Sequence, residues 1–420
     1  MSDLIVEVDP REWGFSPDRL TRIATYFDRY VEDARLAGWL ATVRRGGQLV
    51  WSAKGGYRDR ERDLPVTDDT IWRIYSMTKP IVAVATMMLF EEGRFDLNSE
   101  VGRWIDELRE PRVWSGGTPE SPETVAAETP VLVHHLLTHT SGLTYGFQYN
   151  HPVDQIYRDK GYDFLFKHGA TLEEAVHDWC TSPLVFQPGS RWNYSVAFDV
   201  LGRLIEIWSG QSLDVFLKER MFDPLGMSDT EWWCPPEKAE RMAMLYFPLA
   251  GGSSPQESWA KYSMHPPRIL GGGGGLLSTA RDYDRFTAML LGGGQLDGER
   301  VISSRTVDLI TSNHLPGDAD LTEYAADSYS EVEYAGLGFG LGGSVLNDRR
   351  TNKSLVSEGT YSWGGAASTT FWVDPAEDLT ASFYTQLLPS GTYPIKRRLQ
   401  ALVYQALTDK ESVSGPSVLS

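Results

Sequence analysis

The chain has 420 residues, a formal net charge of −18 and an isoelectric point near 4.9. An acid excess of this size disfavours nucleic acid and anionic membrane surfaces as partners. Apolar side chains make up 41% of it, with 14 tryptophans, enough to bury a sizeable core in two domains or one large elaborated one.

The first ten residues, Met1 to Pro10, carry neither a basic segment nor an apolar run, so no targeting signal is expected and a soluble cytoplasmic protein is the default. Ser16-Pro17 opens a predicted helix, with Leu20, Ile23, Phe27, Tyr30 and Val31 at helical spacing. Trp39 to Val43 and Gln48 to Trp51 flank Arg44-Arg45-Gly46-Gly47 and read as a β-hairpin. The mixed-sign run Arg58 to Asp63 reads as a solvated loop.

Ser76-Met77-Thr78-Lys79-Pro80 then leads into Ile81 to Phe90, a stretch in which almost every side chain is apolar. A helix apolar all round must be buried on all sides, and this one is too short to span a bilayer. Pro80 fits only near its start, and Glu92-Gly93 ends it. Ser76 is thereby placed at the N-terminus of a buried helix, with Lys79 three residues on, on the same face. A hydroxyl, an amine and a positive helix end are the parts of an activated nucleophile. The competing reading is an ordinary helix cap beside a surface lysine. Ser258-Trp259-Ala260-Lys261 repeats the spacing, but it follows Gly251 to Pro255 and precedes no apolar helix, so it reads as loop.

From Pro111 to Thr129 the composition predicts a surface excursion, and Thr129-Pro130 the start of a short helix ending in the run Leu136 to Leu143. His134, His135 and His139 lack the glutamate and third ligand of a zinc-protease helix, and neither Cys180 nor Cys234 has metal-type spacing around it, so no metal is expected. Further helices are predicted from Thr171, through Val200 to Trp208, and from Ser212. Five glycines, Gly271 to Gly275, mark close approaches or unusual turns, and Thr279 caps the next helix. Gly336 to Gly342, Ser368 to Val373 and Thr380 to Tyr384 read as strands, and Ile395 to Leu407 as a closing helix. With strands at both ends and helices between, the pattern is α+β. It predicts a sheet domain from residues 1–95 and 270–420, and a mostly helical domain from 96–269.

An ordered set of motifs now stands out. It comprises Ser76-Met77-Thr78-Lys79, the run Leu136 to Leu143, Pro188-Gly189 leading to Tyr194-Ser195, Asp223 to Met227, Gly275 to Asp282, and Trp363-Gly364-Gly365. Together they resemble the serine β-lactamase and penicillin-binding-protein-like superfamily, near class C β-lactamases and closest to the family VIII carboxylesterases. The resemblance covers nearly the whole chain and implies a β-lactamase-like fold, an antiparallel sheet flanked by helices, with the active site between the two domains. No Gly-x-Ser-x-Gly elbow is present, which removes the α/β-hydrolase route to an esterase.

The resemblance implies Ser76 as acyl-accepting nucleophile, with Lys79 and Tyr194 taking or relaying its proton. The N–H groups of Ser76 and Ala366 would form the oxyanion hole. Trp363, Gly364, Gly365 and Val196 would contact substrate. Val196 stands where the family has the asparagine of Tyr-x-Asn, and Trp363-Gly364-Gly365 replaces Lys-Thr-Gly. Both departures remove groups that would meet a β-lactam, and Arg349, Arg350 and Lys353 are the cations close by in sequence. A neutral small-molecule ester of a short-chain acid is the expected substrate, with no cofactor. The alternatives are a β-lactamase or DD-peptidase, an acyltransferase of the same superfamily, and a non-catalytic penicillin-recognising protein.

Overall fold

The computed structural model describes residues 4–164, 169–325 and 332–408; the first three residues of the N-terminal segment lie outside these. In chain order the elements that matter here begin with helix α1 (Pro17–Glu32), strands β1 (Gly38–Arg45), β2 (Gln48–Asp59), β3 (Leu64–Pro65) and β4 (Ile71–Arg73), and helix α2 (Thr78–Glu91). Strands β5 (Arg112–Thr118) and β6 (Ser121–Ala126) follow, then helices α3 (Val133–Leu137), α4 (Leu172–Cys180) and α5 (Ala197–Ser209). Strand β7 (Leu277–Thr279) leads into α6 (Ala280–Leu291). The chain closes with β8 (Leu337–Phe339), β9 (Ser344–Leu346), β10 (Tyr361–Gly365), β11 (Thr369–Asp374), β12 (Leu379–Tyr384) and α7 (Ile395–Tyr404).

Eight strands form one antiparallel sheet in the order β8-β9-β10-β11-β12-β1-β2-β3. The two ends of the chain meet at its centre, where β1 pairs with β12 from Leu40 opposite Tyr384 to Arg45 opposite Leu379. Gly46 and Gly47, at φ of 57° and 78°, make the β1–β2 turn, a conformation open to glycine without a Cβ penalty. Both faces of the sheet are covered. On one, α1 and α7 pack Phe27, Ile23 and Leu399 against Trp39, Trp372 and Phe383. On the other, α2 and α5 pack against Trp363, Phe371 and Tyr384. Every residue of α2 from Thr78 to Leu89 is buried. That is why its sequence shows no polar stripe. The division into domains of 1–95 with 270–420 and of 96–269 is kept as a proposal; one apolar cluster joins Ile81 and Trp363 to Leu136 and Leu204 across it.

Four local readings change. The excursion after Pro111 is a hairpin, β5 paired with β6, exposed along most of its length. Its backbone bonds to itself and, through Trp114 N–H, to the carbonyl of Leu184, so it needs no apolar pattern to form. The helix expected from Thr129 begins only at Val133, because Leu132 is bridged to Glu100 in extended form. Residues 258–261 are not loop: a short helix covers Glu257–Ala260 and a 3-10 turn continues through Lys261–Met264. Finally, the run Arg58 to Asp63 is only partly solvated, since Asp59 is buried at the end of β2 and the Arg60 guanidinium lies over the Tyr246 ring.

Candidate active site

Ser76 sits in a 3-10 turn, Tyr75–Met77, that runs directly into α2. Its side chain does not cap the helix. Instead its Oγ lies 3.3 Å from Lys79 Nζ, which donates to it. Tyr75, at φ 43°, occupies the left-handed region that a bulky side chain enters only under constraint. That strain sits one residue before the hydroxyl, as functional turns often show.

Lys79 is 1% exposed, so its ammonium depends on the partners the fold supplies. Its Nζ also donates to the carbonyl of Gly273 at 2.6 Å, and it lies 4.3 Å from the Tyr194 ring centroid and 5.5 Å from that of Tyr145. The ring faces offer it the cation–π attraction that a desolvated ammonium gains most from. Tyr194 is held in turn on two sides: Gln148 donates to its carbonyl at 3.0 Å, and Trp363 Nε1 donates to its hydroxyl at 3.4 Å.

Two buried titratable groups complete this cluster. Asp199 accepts the Gly273 N–H at 3.0 Å, while its second oxygen has no hydrogen-bond partner. Burial pushes its carboxyl up to about 6 against the pull of Gly273 and the Lys79 charge. His139 packs its ring edge-on to Tyr194 at 4.9 Å and faces Ser195 Oγ at 3.2 Å. Burial, helped by the Lys79 charge, holds it well below the usual imidazole range, so it is neutral. The other two histidines have local partners: His134 faces His314, and His135 accepts the Leu132 N–H. Among the described residues no group of three or more His, Cys, Asp or Glu converges as a metal set.

A cavity of about 460 Å³ opens over Ser76. Val196 and Ala366 line it, as do Tyr145, Tyr194, Gly273 and Asp199. Much of the remaining wall is aromatic, from Tyr75, Phe147, Phe164, Trp179 and Phe247. Trp363, Gly364 and Gly365 are placed differently from the expectation. Trp363 is fully buried, packed between Tyr194 and Phe339, and does not line the cavity. Gly364 opens onto a second cavity on the opposite face of the sheet. Gly365 is there because a Cβ would fall 2.3 Å from the Ile74 carbonyl. Strand parity turns Gly364 to the opposite face; Trp363 shares the Ser76 face but is covered by Tyr194, and the wall beside Ser76 falls to Ala366, just past the end of β10. Arg349, Arg350 and Lys353 do not line the cavity either.

Asp199, Gln148 and Gly273 carry no local signal as site residues. Gly273 lies within the five-glycine run, and that run was the one hint: a Cβ on Gly272 would sit 2.3 Å from the Phe198 carbonyl, so α5 and the glycine segment touch backbone to backbone. Through this contact Asp199 reaches Gly273.

Sheet, buried helix and serine–lysine pair define a serine-hydrolase-type enzyme with β-lactamase-like architecture. The family model described as Beta-lactamase matches residues 23–405, and the chain belongs to that family. It is 34% identical over 357 residues to Protein Rv1367c of Mycobacterium tuberculosis, covering 84% of this chain and 86% of that protein. It is 31% identical over 408 residues to Esterase EstB of Burkholderia gladioli, covering 94% of this chain and 98% of that one. The structure is similar to that of EstCE1, described as a hydrolase with promiscuous acyltransferase activity, with a TM-score of 0.79 and 24% identity, covering 92% of this chain and 99% of that one. Among the described residues, no helix is long and apolar enough to cross a membrane.

Proposed function

We propose that this protein is a serine carboxylesterase of the family VIII type, hydrolysing neutral esters of short-chain acids through a Ser76 acyl-enzyme, without a cofactor. The observation that carries the reading is the Lys79 ammonium 3.3 Å from Ser76 Oγ beneath a cavity whose lining includes two aspartates but, among the described residues, no arginine or lysine. Among the described residues, a carboxylate-bearing β-lactam entering there meets no cation but Lys79, which Ser76 and Gly273 already engage, and an unpaired buried charge costs several kcal/mol. A neutral ester avoids that cost. The name of Esterase EstB supports the same reading.

In the proposed reaction Ser76 Oγ attacks the ester carbonyl carbon while its proton passes to Tyr194, acting as a phenolate that the Lys79 ammonium stabilises. The N–H groups of Ser76 and Ala366 receive the developing oxyanion, the former from the positive end of α2. Collapse expels the alcohol, which takes that proton. Water then attacks the acyl-enzyme, its proton returns through the same pair, and Ser76 is released with the free acid.

Transfer of the acyl group to an alcohol in place of water is the second reading. The aromatic cavity wall favours it, because an alcohol gains burial there that water does not.

The test measures p-nitrophenyl esters of graded chain length beside nitrocefin and benzylpenicillin on one preparation. Esters should lead in kcat/KM by roughly three orders of magnitude, since each 1.4 kcal/mol is about tenfold. A fluorophosphonate probe should label the peptide holding Ser76, and Ser76→Ala should abolish labelling and turnover alike, while Ser258→Ala preserves both. Comparable kcat/KM for esters and β-lactams would overturn the esterase reading, and an adduct on Ser258 would overturn the site.

A further inference from the structure

The cavity over Ser76 holds about 460 Å³, within the roughly 300–1,000 Å³ of sites that enclose a drug-sized molecule. A short acyl chain on Ser76 leaves most of that space to the other half of the ester. The two halves also part in direction. As the alcohol departs it takes its proton from Tyr194, so its oxygen lies within hydrogen-bond reach of that hydroxyl. Whatever the alcohol carries then continues along the wall that starts at Tyr194.

That wall is a chain of rings. Tyr145 stands edge-on to Tyr194 with centroids 5.4 Å apart, Phe147 stacks on Tyr145 at 4.6 Å, and Phe164 follows Phe147 at 5.4 Å. Trp259 supports the far end, lying 5.2 Å from Phe164 and 5.4 Å from Phe247. Tyr145, Phe147, Phe164 and Phe247 are half-buried and line the cavity, so each keeps some ring surface toward that space.

The chemistry of the wall selects the occupant. Ring faces are negative and ring edges positive, so a further ring gains from edge-on or offset contact what a saturated group of similar shape does not. A cation would gain from the faces too. However, the Lys79 ammonium already lies 4.3 Å from the Tyr194 centroid and 5.5 Å from that of Tyr145, and would repel it. The exposed Asp163 is also engaged, accepting the Tyr149 hydroxyl at 3.0 and 3.1 Å. Resting on the esterase reading above, we propose that the alcohol half of the substrate is a neutral aryl or arylalkyl group, held along Tyr145, Phe147 and Phe164, while the acyl half stays short.

Three acetates, benzyl acetate, cyclohexylmethyl acetate and acetylcholine, separate the ring from its bulk and from charge. Methyl phenylacetate, an isomer of benzyl acetate, carries its ring on the acid side instead. Dividing kcat/KM for each by its rate of alkaline hydrolysis removes intrinsic reactivity. Cyclohexylmethyl acetate is the more apolar, so burial alone would favour it. Benzyl acetate should instead lead it by about tenfold, the worth of one to two ring pairs. Phe147→Leu and Phe164→Leu, which keep an apolar side chain and lose the ring, should each cut that lead by about threefold or more. The lead is a ratio on one preparation, so partial misfolding of a variant does not move it. A lead for cyclohexylmethyl acetate, acetylcholine or methyl phenylacetate would overturn the aryl-alcohol assignment and leave the esterase intact. So would a benzyl lead untouched in both variants, or no turnover of benzyl acetate beside active turnover of p-nitrophenyl butyrate. Failure on every ester, p-nitrophenyl butyrate included, would overturn the esterase reading and this assignment with it.

Discussion

Lys79 engages a serine hydroxyl, a backbone carbonyl and two aromatic faces at once, so little of what it does can be separated from its neighbours. Groups acting as a unit lose their effect together. Lys79→Ala and Tyr194→Phe are each expected to lower kcat by about two to four orders of magnitude, and the double variant hardly more than either. Multiplied losses in the double variant would mean two independent roles. Asp199 gives a different handle at the same scale. Burial raises its folded carboxyl from 3.8 to about 6, against the pull of the nearby Lys79 charge, so the folded state favours the proton. Below about pH 4 the group is protonated folded or unfolded. Between about pH 4 and 6 the unfolded chain ionises first and stability falls, by up to about 3 kcal/mol once the loss is complete above pH 6. Asp199→Asn never ionises. Its Tm advantage over the parent should therefore open between pH 4 and 6 and stay level above; a gap constant from pH 4 to 8 would show that this carboxyl is not raised.

At the scale of elements, α2 and β10 carry the site in unequal ways. The serine–lysine pair was legible because helical spacing and an all-apolar run act locally: they fix Ser76, Lys79 and the burial of α2 without knowledge of any partner. The face that each residue of β10 presents was not legible, since parity depends on register with β9 and β11, set far away in the chain. Trp363 reads as a substrate contact in sequence; in the fold it does face the site side of the sheet, but Tyr194, brought over it from elsewhere in the chain, covers it and accepts its Nε1 hydrogen bond. The two roles separate kinetically. Trp363→Phe, which removes the donor and keeps an aromatic ring, should lower kcat by roughly tenfold, the scale of one hydrogen bond, with KM for p-nitrophenyl butyrate little changed. A rise in KM at constant kcat would instead put Trp363 against the substrate. The β5–β6 hairpin escaped notice for a related reason: beyond Val113 and Trp114, which reach the core, it is mostly polar and exposed, and backbone pairing carries that part.

For the molecule as a whole, the sheet's assembly from both ends of the chain was legible in the distribution of strands, while its strand order was not. The pairing of β1 with β12 joins Arg45 to Leu379, 334 residues apart (379 − 45). During synthesis at about 5–20 residues per second, the β1–β2 hairpin must therefore wait roughly 20 to 70 s for its neighbour. Throughout that interval one side of β1, with Trp39, Leu40, Ala41 and Val43, offers unpaired backbone groups to any passing strand. A message truncated between the codons for Tyr194 and Leu379 yields a polypeptide in which that wait never ends. Such products contain Ser76, Lys79 and Tyr194, yet an open central strand should direct them to aggregation and proteolysis, so no activity is expected from them.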